Sequence, residues 1–214
     1  MRLSLDDQYE SMPWEAIDAV VFDVGNVLMA FRPEQAVADI LPEQPEIHRA
    51  VLNRTVRTPY WLMLDHGTVT LEEAVEAMVG RRRGTALEEP IRRFMGQWLK
   101  LKLPVEEGVR ALKTCKAHGK KLYVLSNYHM EAFRWVEEHY DFFSLFDGLV
   151  VSAFERQVKP NPDIYQTLID RYGLAPERTL FIDDTPANIE AALTAGWQGV
   201  CYNAQGQLDA FFRD

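Results

Sequence analysis

One pattern constrains this chain more than any other: a short apolar run that stops at a polar residue, met again and again along the sequence. Ala19–Phe22 stops at Asp23 and Gly25, residues 121–125 at Ser126 and Asn127, Gly148–Val151 at Ser152, and residues 179–182 at Asp183 and Asp184. A weaker fifth run covers residues 199–202. Uninterrupted apolar runs of this length read as strands buried on both faces. Helical patterns lie between them. Residues 129–139 place Met130, Phe133, Trp135 and Val136 at helical spacing, and residues 162–172 place Ile164, Leu168 and Ile169 on one side. Asn161 is the expected N-cap of the latter, with Pro162 in the first turn. Thr185, Pro186 and Gly196 repeat that grammar around residues 186–195, and a further helix over 106–118 closes at Gly119.

Strand and helix in alternation predict an α/β fold: a Rossmann-like parallel sheet with helices on both faces. One connection does not fit. From Asp23 to Lys120 is 97 positions, whereas a βαβ unit needs only ~30 residues. Residues 33–105 are therefore expected to form an inserted, all-helical cap, with helical stretches over 51–64, 71–79 and 91–101, and 1–32 with 106–214 to form the core domain. Pro33 and Pro104 mark the expected hinges.

Composition narrows the partners. With 23 basic and 32 acidic residues the net charge is −9, a poor match to nucleic acid, which demands clustered Lys and Arg. The content of 47% hydrophobic and 26% charged residues excludes wholesale disorder. Two cysteines, Cys115 and Cys201, make neither a disulfide framework nor a zinc cluster. No apolar run reaches the ~18 residues of a membrane span, and Asp6, Asp7 and Glu10 occupy the place where a signal peptide is basic, then apolar. A cytoplasmic protein is expected.

Parallel strands deliver their C-terminal residues to one edge, where open α/β sheets bind ligands. That edge should gather Asp23, Ser126, Asn127, Asp183 and Asp184, within reach of Lys159. Each residue alone has a plainer use: Asp23 as a turn residue, Asp183 and Asp184 as capping acids, Ser126 and Asn127 as a common way to leave a strand. Together they form three carboxylates, a hydroxyl, an amide and one ammonium. Gathered carboxylates repel unless a cation neutralises them, and Mg²⁺ beside a lysine and a hydroxyl suits phosphoryl transfer. A carboxylate can also attack phosphorus and form an aspartyl-phosphate.

Four segments in this order, Val21-Phe22-Asp23-Val24-Gly25-Asn26-Val27, Val124-Leu125-Ser126-Asn127, Lys159-Pro160 and Phe181-Ile182-Asp183-Asp184, resemble the haloacid dehalogenase superfamily of phosphatases with a helical cap. The Phe-Asp-x-Gly-Asn-Val form and Asp65-His66-Gly67-Thr68-Val69-Thr70 resemble the subgroup containing bacterial α-glucose-1-phosphate phosphatase. The resemblance implies that Asp23 is the nucleophile. Ser126 and the backbone amide of Asn127 would hold phosphoryl oxygens, and Lys159 would screen the transferring group. Asp184, Asp23, the carbonyl of Gly25 and, directly or through water, Asp183 would bind Mg²⁺. A small phosphorylated metabolite, foremost a sugar phosphate, is the implied substrate.

The chain departs from the family pattern at Gly25, where most such phosphatases carry a second Asp as general acid. Loss of general acid catalysis costs typically ~10²–10⁴-fold, less for a good leaving group; His66 is the candidate replacement, though as a turn residue before Gly67 it has a plainer reading. Gly25 leaves two alternatives: a dehalogenase, which attacks carbon with the same Asp and needs no metal, and a non-catalytic binding protein of the same fold. The acidic doublet at 183–184 argues against the first, and the retained Asp23, Ser126, Lys159 and Asp184 against the second. Arg54 and Arg57 are candidates for a substrate carboxylate or for plain surface charge. Arg81-Arg82-Arg83 reads as a solvated loop, and Trp61 and Trp98 as pocket lining or as packing.

Overall fold

The computed structural model describes residues 14–212; the acidic positions Asp6, Asp7 and Glu10 lie outside them. Five strands, β1 (Ala19–Phe22), β2 (Lys121–Ser126), β3 (Gly148–Val151), β4 (Thr179–Asp183) and β5 (Gln198–Cys201), form one sheet in the order β3-β2-β1-β4-β5. All pairings are parallel. The fifth strand begins one residue before the apolar run at 199–202, because pairing with Leu180 recruits Gln198.

Between β1 and β2 stand α1 (Pro33–Ile40), α2 (His48–Leu52), α3 (Pro59–Asp65), α4 (Leu71–Val79) and α5 (Glu88–Gln97). The cap is all-helical among the described residues, as expected, but its boundaries differ. Residues 51–64 are two helices rather than one. Pro59 forces Thr58 into extended backbone (φ −114°, ψ 158°), which ends the run from α2 and starts α3 afresh. Helix α1 lies outside the predicted stretches, and α5 stops at Gln97, where the chain tightens into a 3₁₀ turn over Trp98–Leu101. The chain enters and leaves this layer side by side: the Ala30 amide donates to Leu103 O (2.8 Å) and the Val105 amide to Leu28 O (2.8 Å).

The remaining helices are α6 (Glu106–Ala117), α7 (Met130–His139), α8 (Ser152–Glu155), α9 (Pro162–Tyr172), α10 (Pro186–Thr194) and α11 (Gln207–Phe211). The last, unpredicted, is seated on the buried carboxylate of Glu107, which accepts from Gly206 N (2.8 Å) and Leu208 N (2.7 Å). Asn161 caps α9 through Asp163 N (3.0 Å) as expected. Thr185 does not cap α10 with its side chain; Asp183 Oδ1 accepts from its amide instead (2.8 Å).

Alternation of side chains along each strand divides the core. Val20, Phe22, Leu122, Val124, Leu180 and Ile182 face α6 and α7, in an apolar cluster that runs on unbroken into the cap through Met29, Val37, Trp61 and Phe94. Val21, Tyr123, Leu125 and Phe181 face α9 and α10. Among the described residues no helix is long and apolar enough to cross a membrane, and both cysteines are free and buried.

The cap meets the core most tightly at Gly67, just past α3. Its φ is +65°, and a Cβ there would lie 2.1 Å from Ala153 O of α8. Overpacking of this kind typically costs 1–3 kcal/mol, before the penalty for a left-handed non-glycine residue. Gly67→Ala should therefore lower stability by about 2 kcal/mol, read as a reduced urea midpoint with an unchanged slope.

Candidate active site

Register places the site. Phe22 is level with Val124 on one side and Ile182 on the other, so the next residues, Asp23, Leu125 and Asp183, stand in one row. The Asp23 amide donates to Ile182 O (2.9 Å) and fixes the row's height.

Lys159 ties the row together from the loop after α8. Its Nζ donates to Asp23 Oδ1 (2.9 Å), Asp183 Oδ2 (2.6 Å) and Leu125 O (2.9 Å), saturating the three donors of an ammonium. Asn127 clamps the lysine backbone, accepting from Lys159 N at 2.8 Å and donating to Lys159 O at 2.9 Å. The Asn127 side chain thus serves the lysine; only its backbone amide is left for the role that the sequence assigned. Burial works against the lysine's charge, but Asp23 and Asp183 outweigh it and hold the ammonium above its ordinary pKa. Burial pushes Asp23 in the opposite sense to its usual ionisation, upward, with Asp183 adding to the shift and Lys159 opposing it.

Asp183 is fully buried and accepts Asn188 Nδ2 on both oxygens (3.0 Å each), besides Lys159 and Thr185 N. Asp184 is more open. It accepts Asn26 Nδ2 at 2.8 Å, and Asn26, at φ +56°, is returned to the site by a left-handed backbone that asparagine tolerates. Oxygens of Asp23, Asp183 and Asp184 lie within 4.8 Å of one another. Lys159 answers two of the three carboxylates and Asp184 meets only neutral donors, so the set is short of positive charge and fits a hard divalent cation, which all-oxygen sites favour. Ser126 Oγ is buried without a protein hydrogen bond, near enough to the Asp23 carboxylate to favour its charge. An unmet hydroxyl beside a buried carboxylate suits an incoming oxyanion.

Beside them lies a cavity of about 240 Å³ lined on the core side by Asp23, Gly25, Asn127, Lys159 and Asp184, and on the other by Phe31, Trp61, Asp65, Trp98 and Lys102, with Tyr128 and His129 between. Trp61 and Trp98 do line the cavity. Their rings stand 4.8 Å apart, and His129 meets each edge-on at 4.3 and 5.5 Å. Lys102 Nζ hangs over the rings of Phe31, Trp98 and Tyr128 at 4.9, 4.8 and 5.1 Å. Burial lowers its pKa to about 8 and that of His129 to about 3, and raises that of Asp65 to about 7.

The expectation for His66 is corrected: it does not line the cavity, and its neighbour Asp65 does, because α3 ends by turning residue 65 inward. Arg57 pairs with Glu34 (2.8 Å) and Asn53 (3.1 Å), and neither it nor Arg54 reaches the cavity. Arg81, Arg82 and Arg83 are exposed, in keeping with a solvated loop. Sequence reasoning missed Asn26, Asp65, Lys102, His129 and Asn188. The polar run Ser126 to His129 after β2 carried a usable signal for His129; nothing in the order of residues pointed to Lys102.

A family model for haloacid dehalogenase-like hydrolases matches residues 17–196. The chain is 25% identical over 183 residues to a sesquiterpene phosphatase of Aspergillus oryzae, covering 85% of this chain and 88% of that protein. It is 24% identical to a phosphorylated carbohydrates phosphatase of Thermotoga maritima, covering 84% and 82%. In fold it is similar to an enzyme of the same family from Bacteroides thetaiotaomicron, solved with magnesium and inorganic phosphate (TM-score 0.72, 20% identity, 92% of this chain and 100% of that one). It is also similar to L-2-haloacid dehalogenase from Xanthobacter autotrophicus (TM-score 0.64, 20% identity, 88% and 79%).

Asp65 makes a pH prediction. Its pKa is about 7 in the fold against 3.8 for an unperturbed carboxyl, so between those values the folded state binds more protons than the unfolded one. Its contribution to stability therefore falls as pH rises from about 4 to 7. In Asp65→Asn that loss is absent: the variant's melting temperature relative to wild type should climb from about pH 4 to pH 7 and then level off. A constant offset would contradict the assignment.

Proposed function

The chain belongs to the haloacid dehalogenase-like hydrolases, and from that premise we propose that it is a Mg²⁺-dependent phosphomonoesterase working through an aspartyl-phosphate on Asp23. The observation that carries this reading is the triad of Asp23, Asp183 and Asp184 converging beside Lys159. A dehalogenase has no use for that many carboxylates, because its substrate brings one negative charge and no phosphoryl oxygens.

Asp23, Asp184 and the Gly25 carbonyl would hold the metal, with Asp183 orienting the lysine and the loop before α10. Bound there, the cation would neutralise phosphoryl charge and align the ester. Asp23 Oδ2, the oxygen not taken by Lys159, attacks phosphorus. Ser126 Oγ and the Asn127 amide receive phosphoryl oxygens, and Lys159 balances charge on the nucleophile side. Positioning and charge stabilisation of this kind are most of what phosphoryl transfer asks of a protein.

A small phosphorylated metabolite suits a cavity of about 240 Å³. Trp61, Trp98 and Phe31 offer ring faces to the non-reacting part of the substrate, as the apolar face of a sugar phosphate would use. The two relatives act, by name, on a terpene and on carbohydrates, and both classes have faces that aromatic rings can stack upon. Residues 33–105, as a cap, would close over the ester and exclude water.

A panel of sugar phosphates, a prenyl phosphate, 4-nitrophenyl phosphate and a 2-haloacid, run with Mg²⁺ and with chelator, tests the proposal. Phosphate release should require Mg²⁺, and Asp23→Asn should lower kcat by about 10³-fold or more. Halide release that survives chelation would overturn the phosphatase reading in favour of dehalogenation. Equal rates for Asp23→Asn and wild type would remove the catalytic claim.

A further inference from the structure

We infer that Asp65, brought in by the cap, is the general acid that takes over the duty left vacant at Gly25. The inference rests on the phosphomonoesterase reading of the same site. At Gly25 a Cβ would find only Asp23 Oδ2, at 3.8 Å, so the approach to the nucleophile is bare of side chain. No acid on the core side fills it. Asp183 and Asp184 are committed to Lys159, Asn188 and Asn26, and the cavity's other carboxylate comes from α3.

Asp65 is held in place by the core. Its carbonyl accepts from Ser152 Oγ, and Ser152 in turn accepts from Tyr128 N (3.0 Å). Two residues on, Gly67 abuts Ala153. The side chain is 18% exposed, and among the described residues the Nε2 of a neutral His129 lies 3.2 Å from Asp65 Oδ1. Five titratable groups face it: His129, Asp23 and Tyr128, which supply no positive charge, and Lys102 and Lys159, which do. Burial outweighs the two lysines, and Asp23 adds to it, so the carboxyl holds its proton up to about pH 7. His129 is too weak a base to carry one there.

The two half-reactions balance. Asp23 forms a bond to phosphorus while the ester P–O bond breaks, and the Asp65 proton passes to the departing oxygen, which leaves as an alcohol. Water then attacks the phosphorus. Its proton passes to the Asp65 carboxylate, and the bond between phosphorus and Asp23 breaks, releasing phosphate and restoring both acids.

The test compares phenyl phosphate, a poor leaving group, with 4-nitrophenyl phosphate, a good one, in wild type, Asp65→Asn, Asp65→Glu, Lys102→Gln and Asp65→Asn/Gly25→Asp. For Asp65→Asn, kcat/KM on phenyl phosphate should fall by about 10²-fold or more, with much less loss on 4-nitrophenyl phosphate. On the latter ester kcat should still fall, with a burst of nitrophenolate, because hydrolysis of the phosphoenzyme has lost its base. The alkaline limb near pH 7 in kcat/KM for phenyl phosphate should vanish in Asp65→Asn and persist in Asp65→Glu. Gly25→Asp should restore leaving-group tolerance to the Asn variant. Equal losses of kcat/KM on both esters, or a leaving-group effect confined to Lys102→Gln, would overturn the inference while an inactive Asp23→Asn kept the phosphatase reading intact. An active Asp23→Asn would instead remove the reading on which it rests.

Discussion

The whole edge of this sheet is organised by the three hydrogen bonds of one buried ammonium. Lys159 reaches Asp23, Asp183 and the carbonyl of Leu125 at once, and so bridges two buried carboxylates that adjacent strands place in one row. Burying an ion in protein costs several kcal/mol unless its partners are close and well oriented. Here the partners are supplied by the strand register itself, so the charge cluster and the sheet are a single structure. The clamp of Asn127 on the Lys159 backbone and of Asn188 on Asp183 extends that dependence to β2 and α10.

The cluster is nevertheless short of positive charge. One lysine faces three acids, and Ser126 Oγ remains without a partner. A surface of that kind is poised for a cation and an oxyanion together. The opposite wall differs in kind: Trp61, Trp98, Phe31 and Tyr128 enclose a cation, an acid and an imidazole, each displaced by burial from its ordinary titration. The cavity is thus two-sided, with carboxylates and an ammonium on rigid strand ends and aromatic rings opposite them.

Much of the site could be read from residue order, because it obeys a local rule. A strand that ends in Asp, Ser or Asp-Asp brings that residue to the sheet edge wherever the strand lies, and parallel pairing does the rest. Asp23, Ser126, Asp183 and Asp184 needed only that rule, and Lys159 only a loop long enough to arrive. The cap obeys no such rule. A helix turns residues inward according to its packing, and an error of one position, about 100° around the axis, separates His66 from Asp65. That is why the imidazole was the expectation and the carboxylate lines the cavity.

By itself the sequence determined the five strands, their parallel sense, the helices α6, α7, α9 and α10 that pack on them, and the place of the insertion, since apolar runs and caps are properties of neighbouring residues. Only the tertiary structure decided which acid of the cap shares a cavity with Asp23 and which amides serve as clamps. It also decided that Lys102 and His129 meet in an aromatic enclosure. Those outcomes depend on burial and largely on contacts between residues distant in the chain, where desolvation sets each group's protonation, and no local pattern encodes the depth at which a side chain comes to rest.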